Sequence, residues 1–350
     1  MARRKFYIFI FLVTIVVSVS GQQDPQFSQY MYTILPFNPG YAGNAGICAS
    51  LHYRQQWAGW LDINEETGET EKTSPRNILA TINAPIKVLH GGVGLSIYTD
   101  KIGFQKDIAV KLAYSYKINI GGGALGIGLS GDFLSRKIDN SKFRWGQSGE
   151  EALVTGLAAN DMYTDIAFGA FYRMPDSWYA GISATQILSS FMNTGGEKLN
   201  MKGAMHLYAQ GGATFVLPAD PNWALMPSAL IKTDLKKMQV DLTLLADYNN
   251  LIWFGASYRV IDAVVILVGA KPFINFSAAI RGLEVVASYE ITTSQMLQKG
   301  KGEKDTFAGG RRSYGGYEFC IKYCFNIVTK PTVYGYKGTR LLGNKPTDYR

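Results

Sequence analysis

The sequence predicts an all-β protein, a transmembrane antiparallel β-barrel of about fourteen strands, preceded by an N-terminal segment of different character. Three observations carry this. Apolar and polar residues alternate with a period of two through segments of about ten residues, the length of a tilted strand crossing a bilayer. The connections between those segments alternate between long and short. The chain is 47% hydrophobic with 38 glycines and a mean hydropathy of -0.01, yet past the N-terminus no run approaches the roughly 18 apolar residues of a spanning helix. Apolar surface that is not gathered into helices must meet lipid strand by strand.

In chain order, Arg3, Arg4 and Lys5 precede an apolar run from Phe6 to Val17, and the small residues Ser18, Ser20 and Gly21 follow. That is the order of a secretory signal peptide, with an apolar core too short to span a bilayer. Residues 1–21 are therefore expected to be removed, leaving a mature chain that starts near Gln22. Residues 22–45, in "QQDPQFSQYMYTILPFNPGYAGNAG", keep neither a helical period nor a sustained alternation. They are expected to form a periplasmic or plug segment at the barrel mouth. Phe27, Tyr30, Tyr32, Phe37 and Tyr41 would anchor it, and its prolines would discourage edge pairing. Its duty is either structural or that of a docking site.

The barrel itself is expected over 46–326. One parity of 108–119 holds Ile108, Val110, Leu112, Tyr114, Tyr116 and Ile118, and the other holds Ala109, Lys111, Ala113, Ser115, Lys117 and Asn119. In a strand these are opposite faces. Equivalent segments place strands at 46–57, 76–85, 91–99, 106–119, 123–134, 163–173, 178–187, 204–217, 222–233, 239–248, 251–259, 263–271, 283–292 and 316–326. A soluble sandwich would use strands of about five or six residues, so length and aromatic ends favour a membrane. The long connections are 58–75, 135–162, 188–203 and 293–315; the short ones are Gly121-Gly122, Pro175-Asp176, Pro218 to Pro221 and Asn249-Asn250. Long loops on the outside and short turns on the inside put the barrel in the outer membrane, with both chain ends periplasmic. The stretch 272–282 is too long for a tight turn and leaves room for one more hairpin.

The polar parity is rich in small residues, as at Gly126, Gly128, Ser130, Gly181 and Ser183. A lumen into which backbone or a plug comes close would require this. Beyond Phe325 the chain continues as a basic periplasmic tail, 327–350, with Lys330, Lys337, Arg340, Lys345 and Arg350 against Asp348. It is read as a disordered extension or as a tether.

Catalytic and cofactor signals dissolve on inspection. Gly126 to Gly131 matches G-x-G-x-x-G, but Leu125, Ile127 and Leu129 alternate through it, and no helix opens behind it as a dinucleotide site needs. His52, His90 and His206 lie far apart without metal spacing, and no nucleophile elbow occurs. The expectation is no enzyme, no cofactor and no metal. The net charge of +8, three units of it from Arg3, Arg4 and Lys5, is spread through loops rather than interleaved with aromatics. A nucleic-acid partner is not indicated. Cys48, Cys320 and Cys324 share the polar parity of the first and last strands. Cys320 and Cys324 lie about 13 Å apart along one strand and cannot bond to each other. Three unpaired lumen-facing thiols are expected; the alternative is a cross-link from Cys48 to Cys320 or Cys324 across the barrel seam.

"DPQFSQYM" at 24–31, "NPGYAG" at 38–43 and "YRQQWAGW" at 53–60 resemble the start of the PorP/SprF family of outer-membrane proteins of the type IX secretion and gliding systems of Bacteroidetes. "GASYR" at 255–259, "ASYEIT" at 287–292 and "YEFCIKYCF" at 317–325 continue the likeness over nearly the whole mature chain. Departures are "TILPF" at 33–37, the cysteines, and the residues beyond Phe325. The resemblance implies a non-enzymatic outer-membrane barrel that helps export or hold a large secreted surface protein, such as a gliding adhesin, by that cargo's C-terminal domain. It also implies contact with periplasmic, peptidoglycan-linked components. Candidate partner-docking residues are then Phe27, Gln29, Tyr30, Asn38, Tyr41, Arg54 and Trp57, with Tyr334, Tyr336 and Arg340 in the tail. A passive channel for small molecules is the alternative.

Overall fold

The computed structural model describes residues 25–44, 46–59, 62–63, 70–71, 73–139, 159–188, 204–273, 282–293 and 315–325. The predicted signal peptide, the C-terminal tail and most of the long loops, 58–75, 135–162, 188–203 and 293–315, lie outside the described residues.

Fourteen antiparallel strands close into one ring. They are β1 (Cys48–Gln55), β2 (Arg76–Ile86), β3 (Gly91–Ile102), β4 (Gln105–Ile120), β5 (Gly123–Ile138), β6 (Ala159–Met174), β7 (Trp178–Thr185), β8 (His206–Ala213), β9 (Trp223–Thr233), β10 (Met238–Tyr248), β11 (Ile252–Arg259), β12 (Ala263–Ala270), β13 (Leu283–Thr292) and β14 (Gly316–Cys324). Each pairs with its sequence neighbours, and β1 pairs with β14 from Cys48↔Cys324 to Gln55↔Tyr317, which closes the ring. A two-residue piece, Phe215–Val216, continues β8 along β9 after a break at Thr214. No helix among the described residues is long and apolar enough to cross a membrane.

The burial pattern is that of a globular protein turned inside out. Leu129, Ile182, Leu242, Ile266 and Ile321 are all at least half exposed, whereas Arg54, Arg259, Glu318, Asp241 and Lys111 are buried. Alternation therefore places the apolar parity outside and the polar parity in the lumen, which excludes the soluble sandwich. Lipid must cover the outer face, and ring closure pairs the backbone groups that lipid could not satisfy. Aromatic rings gather at the short-turn end, with Tyr172 and Trp178 at 4.9 Å, Trp223 and Tyr248 at 4.9 Å, and Tyr323 and Phe325 at 4.7 Å between ring centres. That is the interfacial girdle of an outer-membrane barrel. The protein is an outer-membrane protein.

The strands run further than alternation alone suggests. β5 continues past 134 to Ile138, and β6 begins at Ala159 rather than 163. The polar run "SRK" reads as loop in sequence, but Arg136 points inward, where its guanidinium donates to Asp107 of β4 (Nε to Oδ1, 2.9 Å). An ion pair inside the barrel stands in for the apolar pattern there. The long-loop end also carries short connections, at 103–104, 234–237 and 260–262.

Candidate functional site: the occupied lumen

Residues 25–44 lie against the inner faces of most of the strands. The segment is neither strand nor α-helix; it is a chain of tight turns. Backbone bonds run from Tyr32 N to Gln29 O, Phe37 N to Ile34 O, Ala42 N to Pro39 O and Asn44 N to Tyr41 O. At Pro39–Tyr41 it makes one 3-10 turn, capped by the Asn38 side chain, which accepts from Gly40 N at 2.9 Å. Proline at the first turn position and asparagine at the cap are what such a turn requires. The segment has no charged residue.

At the long-loop end the wall supplies a buried ion cluster. Arg54 Nη2 lies 2.7 Å from Glu290 Oε2 and its Nε 3.9 Å from Glu318 Oε2. Arg259 lies 3.0 Å from Glu290, 3.3 Å from Asp241 and 3.3 Å from the partly exposed Asp262. Two guanidinium groups thus face three fully buried carboxylates, and the surplus is answered by the segment. Ser28 N and Gln29 N donate to Glu318 at 2.8 and 3.3 Å, and Ser28 Oγ donates to Glu290 at 3.0 Å. Arg54 in turn donates to the Gln26 carbonyl. Charged groups this deep are tolerable only when paired and fully hydrogen-bonded.

Farther down, the wall donates to main-chain carbonyls of the segment. Lys111 Nζ reaches Pro36 O at 3.1 Å, Ser183 Oγ reaches Phe37 O at 2.7 Å, and Ser115 Oγ and Lys117 Nζ both reach Gly40 O at 3.0 Å. The Asn38 amide spans the strands β6 and β7, donating to Ala170 O at 3.1 Å and Ile182 O at 3.3 Å. The small residues of the polar parity make room for this. A Cβ on Gly126 would strike Gly40 O, one on Gly128 would strike Pro39, and one on Gly169 would strike the Asn38 side chain. Only glycine lets the two backbones come so close.

Apolar side chains of the segment fill three pockets in the wall. Phe27 meets Leu79, Tyr98 and Ala109, with Phe37 alongside. Met31 and Tyr32 meet Leu245, Trp253, Val265, Leu267, Val286 and Cys320. Leu35 and Tyr41 meet Ala113. The lumen is therefore a filled core whose wall is partly apolar, not a uniformly polar bore.

The predicted docking residues sort by position. Phe27, Gln29, Tyr30, Asn38 and Arg54 are at most 3% exposed, and their contacts hold the segment to the wall. Tyr41 is half-buried, edge-on to Phe171 with ring centres 5.1 Å apart. Trp57 is half-buried beyond the long-loop end of β1, with φ 47. Tyr334, Tyr336 and Arg340 lie outside the described residues. The segment is not confined to the short-turn mouth. Gly43 lies against Pro85 and Gly92 at that end, while Ser28 and Gln29 sit with Glu318 near the other.

Sequence reading missed Glu290 and Glu318 as the partners of Arg54, and Arg259 as the second cation of the cluster. The available signal was a charge on the inward parity of each strand, at the ends of "GASYR" and "ASYE" and in "YEF". The expectation of three free thiols is corrected. Cys48 and Cys324 form a disulfide across the β1–β14 seam, and Cys320 remains a buried thiol, 3.6 Å from His52 Nε2. Closure of the ring sets Cys48 directly opposite Cys324, and sets Cys320 opposite His52.

None of the curated proteins compared with the chain matches it in sequence. Among solved structures it is similar to the Acinetobacter baumannii outer membrane protein Omp33, at 8% identity and TM-score 0.42, covering 80% of this chain and 99% of that one. It is also similar to the Ralstonia pickettii toluene transporter TbuX, at 11% identity and TM-score 0.43, covering 82% and 91%. Likenesses of that size describe barrels in general and say nothing of what this one handles. The model of the type IX secretion system membrane protein family PorP/SprF matches residues 19–306. With a closed fourteen-strand barrel and an N-terminal segment threaded through its lumen, the chain belongs to the PorP/SprF family of type IX secretion system membrane proteins.

Proposed function

We propose that the barrel is a non-enzymatic partner of type IX secretion that helps to export or anchor a large surface protein, held by the cargo's C-terminal domain. Family membership supports a secretion role. The observation that carries the choice against a passive small-molecule channel is the lumen itself, occupied from Glu318 near one end to Gly92 near the other by residues 25–44. A pore for solutes needs an open polar bore, whereas a holder presents loops and keeps its bore shut. In this reading Trp57 and the long loops at 58–75, 135–162 and 293–315 meet the cargo outside. The tail, through Tyr334, Tyr336 and Arg340, meets a periplasmic, peptidoglycan-linked component.

Mild-detergent purification from outer membranes, with a cargo carrying or lacking its C-terminal domain, tests this. The expected result is co-purification only with the intact cargo; equal recovery of both forms overturns the reading. Truncation after Asn326 should leave an assembled barrel that loses its periplasmic partner but keeps the cargo.

A further inference from the structure

We infer that the lumen is a peptide-binding site, and that residues 25–44 are its resident ligand rather than an inseparable part of the barrel wall. The class of ligand is an uncharged polypeptide segment with aromatic side chains and Pro-Gly turns. The inference goes beyond the secretion reading and does not depend on it.

The wall recognises the segment as a receptor recognises a peptide. Four side-chain donors, on Ser183, Lys111, Ser115 and Lys117, reach main-chain carbonyls of the segment, and the Glu318 carboxylate receives two of its main-chain N–H groups. Main-chain contacts of this kind supply affinity that depends little on side-chain identity, while pockets select the side chains. The pockets are those for Phe27 with Phe37, for Met31 with Tyr32, and for Leu35 with Tyr41. Charge is arranged accordingly. Lys111 pairs with Asp132, Lys322 with Glu284 and Arg136 with Asp107 within the wall, while Glu318, Glu290, Arg54 and Lys117 take neutral main-chain and hydroxyl groups of the segment, so an uncharged guest suits the bore. The glycine track of Gly126, Gly128 and Gly169 leaves a groove fitted to a backbone.

The segment contributes no strand to the ring, which closes through β1 and β14 without it. Its link to the wall passes Gly46, where an added Cβ would meet open space. That position has room for an inserted protease site. A peptide of like chemistry, including a terminal segment of an exported protein, would compete for the same groove.

The test keeps the full chain. A protease site is inserted after Gly46, the purified barrel is cut in detergent, and a fluorescent synthetic peptide of residues 25–44 is added in excess. The expected result is that the cut segment stays with the barrel, that labelled peptide replaces it, and that a scrambled peptide of the same composition does not. Gly128→Leu, which fills the track under Pro39, should weaken uptake about tenfold or more. If that variant does not assemble, Ser183→Ala, which strips the donor from the Phe37 carbonyl, gives the same readout at several-fold. A cut segment that never exchanges would make it a fixed part of the fold, and equal uptake of the scrambled peptide would make the lumen an unselective apolar sink; either result overturns the inference. No cargo enters the assay, so its failure is separate from failure of the secretion reading.

Discussion

Cys48 and Cys324 face each other at the short-turn end of the barrel seam, their Cα atoms 4.1 Å apart and their sulfurs bonded, with a sequence separation of 276 residues. This disulfide joins the first strand to the last and makes the barrel a covalent ring.

A closed loop of that length removes much of the unfolded chain's freedom, worth about 5 kcal/mol on chain-entropy arguments. Cys48→Ser should assemble but lose stability of that order, measured as a lowered urea midpoint in liposomes. Non-reducing mass mapping should find the Cys48–Cys324 cross-link and leave Cys320 as the single alkylatable thiol after unfolding. Three alkylatable cysteines would refute the seam bond.

Arg259 touches Asp241, Glu290 and Ser28. Arg259→Met leaves two buried carboxylates short of a cation, for a cost of about 3 to 5 kcal/mol. The companion Arg259→Met/Asp241→Asn should recover part of that loss, because Asp241, whose ion pair among the described residues is with Arg259 alone, is the charge left stranded. Losses of the two single variants, Asp241→Asn measured beside Arg259→Met, that simply add up to the loss of the double variant would mean the two side chains are not coupled.

Full-length protein in a planar bilayer should be closed. Removing residues 25–44 should give stepwise conductance, since Lys111, Ser115, Lys117 and Ser183 lose the carbonyls they donate to and would face water. Equal conductance with and without the segment would mean that it does not fill the bore.

On intact cells, added protease should cut only in the long loops and never at Gly121-Gly122, Asp176 or Asn249-Asn250. The last two turns use non-glycine residues with φ between 54 and 57, the mark of tight reversals. The protein should also be heat-modifiable on gels and strand-rich by circular dichroism. Cleavage at those tight turns from outside would invert the orientation.

Alternation is a local property written residue by residue, and it is enough to set the two faces, the strand positions and the end that carries the long loops. Ile108, Val110, Leu112, Tyr114, Tyr116 and Ile118 could face only lipid once Lys111, Ser115 and Lys117, on the other parity, had to face inward. The ends of β5 and β6 were less legible. There an Asp107–Arg136 ion pair between strands holds the ladder where no apolar pattern marks it.

Which cysteine Cys48 joins, and where residues 25–44 go, is settled in three dimensions. A seam shifted by two or four residues keeps every side chain on the same face, so parity cannot choose between Cys320 and Cys324. Only ring closure, which sets Cys48 opposite Cys324, chooses. The path of the segment was equally hidden, because its partners Arg54, Ser115, Ser183, Arg259 and Glu318 are scattered over the chain. They become neighbours only when fourteen strands curl into a ring and bring their inward faces around a common axis.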